Sequence, residues 1–435
     1  MCYFFVLSSI NLKKIKSIMK KLLLSFVILS GPITSQAAGF ALIEQSASGM
    51  GNAFAGGAAA AEDTSTIFFN PAGMTYIQGT QIVGAIHLIK PNAEFNDNGL
   101  STTGIGKPKN GDGGDAGDLA FIPNFYYKRD LTDTLKFGLG VNAPFGLKTE
   151  YDKNWIGRFQ AVKSEVKTIN INPAIAFKVN EQLSLGAGIS AMWAEAELTN
   201  AVNFGGAGEG FAKIKGDDWG FGFNFGAIYQ ATADTRIGLA YRSKIEQHLD
   251  GDVKFARPSS IPNAGAARDG NVTADVTLPE NFSVSAFSHL NSSWDLMGDV
   301  TWTRWSQFKK LAVIRSDGAT LGTPTIENWS NTLRYSIGAN YHYSDAITFR
   351  SGLAYDQEAI SNEFRTARIP GNDRKWLSLG ASWQVNPKGK LDIGYAHLFI
   401  SDASINRDEG LAKGKLIGSY DGSVDILSAQ YTHNF

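Results

Sequence analysis

The chain has 435 residues, of which 43% are hydrophobic and 19% are charged, and its mean hydropathy of −0.13 excludes a helical membrane protein. The formal net charge is −1. Without residues 1–37, which hold five lysines and no acid, 35 basic residues face 41 acidic ones, and this balance argues against a nucleic-acid partner.

Residues 1–37 have the pattern of a secretory signal peptide. Met19–Lys21 supply a start codon and a basic region, Leu22–Leu29 an apolar core, and Ser35–Ala37 a small-x-small cleavage site. We therefore expect translation to start at Met19 and the mature chain to start at residue 38. Cleavage also removes the only cysteine, Cys2, and a cysteine-free chain suits an oxidising compartment.

The mature chain begins with a short segment rich in Gly and Ala, Ala38–Gly79. It carries no Lys or Arg and three acids, Glu44, Glu62 and Asp63. The segment is too short for a domain and too apolar for a tail, so we predict that it fills the lumen of a barrel as a hatch. Within it, Asn70-Pro71-Ala72 predicts a helix start, with Asn70 as the N-cap and Pro71 at the first position.

Residues 80–435 alternate between apolar and small or polar side chains, as strands with one apolar face do. The pattern is clearest in Leu183–Trp193, Trp219–Tyr229 and Leu333–Tyr343. These runs exceed the usual strand of about five or six residues. Their apolar faces end in Trp or Tyr, as at a membrane interface. The prediction is an all-β fold, a transmembrane barrel, in the outer membrane of a bacterium.

The connections between these runs alternate in length. Six short ones lie near 131–134, 180–181, 232–235, 291–293, 344–345 and 386–389, and seven long ones near 96–117, 147–157, 200–216, 256–271, 316–327, 359–371 and 403–414. Thirteen connections predict a 14-stranded antiparallel barrel, and an even count with alternating loop lengths is the outer-membrane rule. The last run, Asp425–Phe435, ends in an aromatic residue and resembles the signal that the barrel assembly machinery reads.

Pro144-Phe145-Gly146 interrupts the third predicted strand. A proline removes a hydrogen bond from a strand ladder, so it is tolerated only at edges, bulges or strand starts. Two interpretations follow: the break opens a gap in the barrel wall, or the strand ends there.

Several motifs in a fixed order give the mature chain a resemblance to the outer-membrane long-chain fatty-acid transporter (FadL) family, which includes importers of aromatic hydrocarbons. The motifs are Ala38-Gly39-Phe40, Ser46–Gly51, Asn70-Pro71-Ala72, Trp219–Gly222, Tyr241-Arg242-Ser243, Leu278-Pro279-Glu280, Trp305–Phe308 and Trp376-Leu377-Ser378. The resemblance covers essentially the whole mature chain.

The resemblance implies a hatch-closed barrel that captures a hydrophobic ligand among its outer loops, most simply a long-chain fatty acid. It implies that Phe40 lies near an internal pocket, that Asn70-Pro71-Ala72 organises the hatch, and that ligand leaves sideways at Pro144–Gly146 into the membrane lipid. Fatty-acid members place basic side chains where this chain has Asn200 and Pro324, although Lys213, Lys215 and Arg315 are near in sequence. This departure raises the alternative of an aromatic or alkane hydrocarbon.

Other functions have weaker support. A general diffusion porin should lack an apolar N-terminal plug. An outer-membrane enzyme needs a nucleophile beside a histidine, and nothing favours His87, His248 or His397 for that role. Asp112, Asp115 and Asp118 in a Gly-rich loop could bind calcium, but their spacing is not that of an EF-hand and a solvated loop is favoured. We therefore expect no catalytic residues, no metal and no cofactor, and a monomer.

Overall fold

The computed structural model describes residues 39–435, and in this part of the chain fourteen strands close into one antiparallel barrel. The strands are β1 Gln81–Asp97, β2 Ala120–Asp130, β3 Leu135–Asn142 with Gly146–Glu150, β4 Lys163–Lys178, β5 Leu183–Asn203, β6 Glu209–Gln230, β7 Thr235–Arg242 with Ile245–Ala256, β8 Gly270–Leu278 with Asn281–Asn291, β9 Trp294–Thr303, β10 Thr332–His342, β11 Ile347–Asp356, β12 Arg374–Asn386, β13 Gly389–Ile400 with Ala403–Asp408, and β14 Lys415–Asn434. Each strand pairs with the next, and β14 pairs with β1. Closure removes the free sheet edges that hydrocarbon could not satisfy. The predicted architecture is therefore confirmed, while the predicted signal peptide lies outside the described residues.

The alternation seen in the sequence becomes an exposed apolar outer face and a closely packed inner face. Ile189, Phe221 and Ile337 are 66%, 72% and 65% exposed, whereas the polar or small residues beside them point inward. At the C-terminus Phe435 is also exposed, and its backbone N–H donates to the carbonyl of Thr80 at 3.0 Å. None of the helices in the described residues is long and apolar enough to cross a membrane.

Residues 39–79 fold into short helices inside the barrel. These are α1 Ala47–Gly51, α2 Gly57–Ala60, α3 Thr66–Phe69 and the 3-10 helix Pro71–Tyr76. Inward glycines leave room for them: a Cβ on Gly226 would lie 1.8 Å from Asn70 Oδ1, and one on Gly238 would lie 1.9 Å from the carbonyl oxygen of Ala58. The hatch therefore packs directly against these two wall glycines, where any larger residue would clash with it.

The outer loops carry little regular structure. They contain the 3-10 helices Gly205–Ala207, Gly265–Ala267 and Trp305–Gln307 and the short strands Lys310–Leu311, Ile314–Arg315 and Thr325–Ile326. Two predicted loops are shorter than expected, because β5 and β6 stay paired up to Asn203 and Glu209, and because β13 resumes after residue 402. These strand pairs continue beyond the membrane into segments that contain charged residues. The apolar alternation stops there, so it did not identify those segments as strands.

The third strand neither ends at Pro144 nor continues through it. Its ladder with β4 runs to Asn142, stops, and resumes with Gly146 paired to Lys167. β7, β8 and β13 are interrupted in the same way. The barrel wall therefore has several local breaks, and the one at residues 143–145 faces the hatch.

Candidate functional site: a path of three cavities

Three neighbouring spaces lead from the outer loops to the hatch. We call them the outer groove, the middle pocket and the lumen chamber. Including their open mouths, they enclose about 1290, 830 and 1140 Å³ between protein atoms. The outer groove and the middle pocket share five lining residues, Leu198, Ile214, Leu311, Val313 and Arg368. The outer groove and the middle pocket therefore adjoin each other.

The middle pocket is almost wholly apolar. It lies between the inner faces of β4 to β8 and two outer loops, residues 304–331 and 357–373. Arg368 and Glu327 supply its two ionisable loop side chains, among neighbours such as Val166, Leu249 and Val276. Such a space suits an alkyl chain, since each buried methylene contributes about 0.8 kcal/mol.

Arg368 is a half-buried cation whose partners are all neutral in the described part of the chain. Its Nη1 donates to Ser164 Oγ at 2.9 Å and to the carbonyl of Lys163 at 3.2 Å, and its Nη2 donates to the carbonyl of Gln160 at 2.9 Å. Burial lowers its pKa to about 10, so it remains charged at neutral pH. The bonds fix the guanidinium in place, and its charge acts on the nearby carboxyls of Glu409 and Glu327 without a direct ion pair to either in the described residues.

Glu327 is the acid of the same pocket. Its Oε2 accepts a bond from Trp329 Nε1 at 2.9 Å, and burial raises its pKa to about 7. An isolated carboxyl in apolar surroundings holds its proton more tightly than one in water. Near neutral pH the Glu327 carboxyl is thus only partly ionised, so its electrostatic repulsion of an incoming anion is reduced.

An aromatic partition separates the middle pocket from the lumen chamber. Its members are Phe40, Phe145, Trp305, Phe308 and Trp329. The ring of Phe40 lies in the centre, 5.0 Å from the Trp305 ring and 5.8 Å from the Trp329 ring. Gly39 has a φ of +57°, and a Cβ there would lie 2.6 Å from Trp329. The N-terminal end of the hatch is therefore held between the two indoles.

The lumen chamber lies below the partition and against the hatch. Aromatic side chains of the hatch line it together with a group of charged residues, Glu44, Arg242, Asp299, Arg334, Asp356 and Arg374. Arg334 and Arg374 each donate to a hatch carbonyl, that of Ala53 at 2.9 Å and that of Gly39 at 3.1 Å. The wall thus holds the hatch through its backbone as well as by packing.

The break in β3 is filled by the hatch. The N–H of Leu42 donates to the carbonyl of Pro144 at 2.8 Å, and the N–H of Gly146 donates to the carbonyl of Phe40 at 3.0 Å. Ala41 and Phe145 form an isolated antiparallel bridge. Phe40 and the Pro144–Gly146 break, predicted separately from the sequence, are therefore in direct contact.

Asn70-Pro71-Ala72 lies at the opposite side of the hatch, with Asn70 capping the 3-10 helix. Asn70 Oδ1 accepts from the N–H of Ala72 at 3.0 Å, and its Nδ2 donates to the carbonyl of Ala58 at 2.7 Å. Nδ2 also lies 3.1 Å from the carbonyl of Ala227 and 3.2 Å from that of Leu239. One fully buried amide joins two hatch segments and two wall strands.

Ion pairs fix the end of the hatch far from Phe40. Glu62 pairs with Arg350, and Asn340 Nδ2 donates to Glu62 Oε1 at 2.7 Å. Asp63 accepts from Gln430 Nε2 at 2.8 Å and from Ser48 Oγ at 2.7 Å. Two of the three acids of this otherwise uncharged segment, Glu62 and Asp63, therefore attach it to the wall.

Of the three cations near the expected basic positions, Lys215 alone borders the middle pocket, and its ammonium is paired with a carboxylate. Lys213 and Lys215 lie on the outer face of β6, paired with Glu197 at 2.8 Å and Glu195 at 3.0 Å. Arg315 donates within the outer loops, to carbonyls that include that of Ala266 at 2.9 Å.

Asn200 lines the outer groove, and Pro324 lies in the loop that covers it. Arg368 was missed because no sequence pattern shows that its loop folds back over the pocket. The one available signal was that Arg368 stands between two apolar residues, Ala367 and Ile369, in a loop otherwise rich in polar residues.

Other predicted alternatives find no support. No group of three or more metal-ligating side chains converges in the described residues. Asp115 and Asp118 instead pair with Lys90 and Lys148. His87 Nδ1 contacts Ser428 Oγ at 2.6 Å without a third partner that could form a catalytic triad.

Comparison with known proteins agrees with this architecture. Residues 28–435 match the model of the outer membrane protein transport protein family (OMPP1/FadL/TodX). A long-chain fatty acid transport protein of Escherichia coli is 30% identical over 87% of this chain and 91% of its own, and outer membrane protein P1 of Haemophilus influenzae is 32% identical over 86% and 89%.

Solved structures agree with the sequence matches. The crystal structure of a Pseudomonas aeruginosa FadL homologue has a TM-score of 0.85 and 26% identity, and the match covers 92% of this chain and 100% of that one. The Ralstonia pickettii toluene transporter, at 20% identity and a TM-score of 0.65, covers 88% of this chain and 96% of its own and shares the fold. The family consists of transporters and channels and not of enzymes. The chain therefore belongs to the OMPP1/FadL/TodX family of outer membrane transport proteins, as the resemblance predicted.

Proposed function

We propose that this protein carries long-chain fatty acids across the outer membrane, from the outer groove to the middle pocket and past the aromatic partition. The observation that carries the choice of a fatty acid is Arg368, a cation that lines an apolar pocket and whose hydrogen-bond partners in the described residues are all neutral. A carboxylate on an alkyl chain matches both features. Charge-assisted hydrogen bonds contribute about 1.5–3 kcal/mol each, and the chain contributes through burial.

The same proposal assigns the exit to the break in β3. A ligand that displaces Phe40 from the partition must move residues 40–42, and these residues fill the break through two backbone hydrogen bonds. Release through the wall keeps an alkyl chain out of water, at a saving of about 0.8 kcal/mol per methylene. In this account Ala38–Gly79 is the hatch, residues 80–435 are the barrel, and residues 1–37 are a signal peptide.

A hydrocarbon remains the second candidate, because the middle pocket contains few polar groups and Asn200 and Pro324 replace the expected bases. The two candidates differ in their need for Arg368. A fatty acid should depend on its charge, and a hydrocarbon should not.

The test compares binding of oleate and oleyl alcohol, which share a tail and differ in charge, by quenching of tryptophan fluorescence. Arg368→Met should lower oleate affinity about 10- to 100-fold, the equivalent of one charge-assisted bond, and leave oleyl alcohol unchanged. Arg315→Met is the matched control, since Arg315 is also a loop arginine bonded to carbonyls but does not line the three spaces. Equal oleate affinity in the Arg368 variant and the parent would refute carboxylate recognition at this site.

A further inference from the structure

The barrel wall has a further interruption beside the aromatic partition, between β6 and β7. β5 and β6 are paired without a gap from Asn203 with Glu209 to Leu183 with Tyr229. On the other side of β6, registered pairing with β7 stops after Asn224 with Arg242 and resumes only at Asp217 with Asp250. Residues 218–223 and 243–249 therefore face each other without a ladder, and we call this gap the β6–β7 seam.

In the middle of the seam, β7 also lacks registered pairing with its other neighbour, β8. β7 and β8 pair up to Arg242 with Asn281 and again from Ile245 with Leu278. Ser243 and Lys244 thus lack registered partners on both sides. Across the seam Ser243 exchanges two bonds with Phe223, both of 2.9 Å, one of which uses the serine hydroxyl. Pro279 explains part of the gap, because it cannot donate to a ladder.

Ile245 is the apolar side chain that fills the inner side of the seam, beside the Gln247 amide and the Ser243 hydroxyl. Ile245 is buried and belongs to the same apolar cluster as Phe40, Phe145 and Met192. It lies where side chains of β6 would otherwise point: a Cβ on Gly220 or on Gly222 would lie 2.5 or 2.8 Å from its side chain. The apolar interior around Phe40 is therefore continuous with the inner side of the seam.

On the outer side of the seam the β6 edge is apolar, whereas the β7 edge carries Lys244 and Glu246, which pair with each other. Trp219, Phe221 and Phe223 of β6 project into the membrane, and Phe221 is 72% exposed. Lys244 marks the polar boundary, with its side chain 48% exposed. Backbone groups without partners are costly in hydrocarbon, so a gap at this depth needs a compensating reason.

We propose that the β6–β7 seam is a second lateral passage, through which the apolar chain of the transported molecule moves between the aromatic partition and the membrane, with Ile245 as its plug. The proposal rests on the proposed function for its ligand but not on the break in β3 for its route. Ile245 stays registered with Leu278 of β8 but has no registered partner on β6, so the passage opens when its side chain rotates away and Ser243 and Lys244 shift.

The test uses disulfide locks in a chain whose sole natural cysteine is Cys2. The seam lock is Gly222→Cys with Ile245→Cys, chosen because a Cβ on Gly222 would lie 2.8 Å from Ile245 Cγ1, so the two side chains meet across the seam. The control lock, Tyr229→Cys with Ile237→Cys, joins the same two strands at a registered pair. Uptake of labelled oleate by cells without their own carrier is measured for each variant, oxidised and reduced.

Gating steps often set transport and turnover rates, so oxidised seam-locked protein should take up oleate at least about twofold more slowly than its own reduced form. The control lock should have no effect. Ile245→Ala, which removes the plug without a crosslink, should raise uptake above the parent. Equal uptake by oxidised and reduced seam-locked protein, with no gain from Ile245→Ala, would overturn the proposal.

A third lock separates this proposal from the β3 exit. Ala41→Cys with Phe145→Cys ties the hatch into the β3 break at an observed bridge. Loss of uptake with this lock alone supports the β3 route and overturns the seam. Residual uptake that disappears only when both locks are oxidised supports the seam as a parallel route. Fluorescence titration with oleate shows in each case that binding, and hence the barrel, is intact.

Discussion

The buried amide of Asn70 should control the local stability of the hatch. Asn70→Ala removes the cap of the 3-10 helix, which costs about 0.5–2 kcal/mol. It also leaves the buried carbonyl of Ala58 without its 2.7 Å donor, which costs about 1–3 kcal/mol. We expect local destabilisation of about 2–4 kcal/mol, confined to the hatch because the barrel ladders remain intact.

Hydrogen exchange measures this directly, since each 1.4 kcal/mol of local stability changes the exchange rate about tenfold. In Asn70→Ala, the amides of residues 66–79 should exchange roughly 30- to 1000-fold faster than in the parent. Ser46→Ala is the matched control: it removes the cap of α1, whose Ser46 Oγ accepts from the N–H of Gly49 at 3.1 Å. Its effect should be limited to residues 46–52.

A second substitution tests the geometry behind this argument. Gly226→Ala places a Cβ 1.8 Å from Asn70 Oδ1, so by itself it should displace the amide and have a similar effect. Combined with Asn70→Ala, the same Cβ has room, and the double variant should be less perturbed than the sum of the two by about 1–3 kcal/mol. Unchanged exchange in Asn70→Ala, or strict additivity in the pair, would refute the reasoning.

Three further outcomes follow from the site. Phe40→Ala removes the centre of the aromatic partition and should lower oleate affinity about tenfold or more, by loss of about 1.5–3 kcal/mol of buried apolar contact, as read by tryptophan quenching. Burial raises the pKa of Glu327 to about 7, so its protonated carboxyl stabilises the folded state fully below pH 4.5. This contribution to folding stability is lost as the carboxyl ionises with pH rising through 7. Oleate affinity of the parent should therefore fall between pH 6 and 8, whereas that of Glu327→Gln should change less in parallel titrations. Arg350→Met leaves the half-buried Glu62 without its cation and should raise ion conductance in planar bilayers, because the hatch loses this anchor. Arg315→Met should leave conductance unchanged.

The barrel could be predicted from the sequence because the membrane imposes a strict pattern. Each strand must present apolar side chains to lipid, and Leu183–Trp193 and Trp219–Tyr229 show that pattern with a period of two. Closure then follows from the strand count, since hydrocarbon tolerates no open edge. The loops around residues 200–216 were mispredicted because above the membrane this constraint is absent, and paired strands there carry alternating Lys and Glu.

The site was predictable only where a local rule applies. Asn70-Pro71 has the chemistry of a helix start at adjacent positions, and the structure has a capped 3-10 helix there. Phe40 and Pro144–Gly146 each stand out in sequence, but their contact is a tertiary fact that no spacing encodes. Arg368 and the β6–β7 seam depend on how a loop folds back and on where two strands lose register, and both require coordinates.

The most direct test of the central claim is a titration of the refolded barrel with oleate and toluene in parallel, followed by tryptophan fluorescence, together with its ion conductance in planar bilayers. The account predicts saturable oleate binding and a small conductance, because residues 39–79 plug the lumen. Binding of toluene alone would replace the fatty acid by a hydrocarbon. Absence of binding to either, with a large conductance, would contradict the account and leave a diffusion porin.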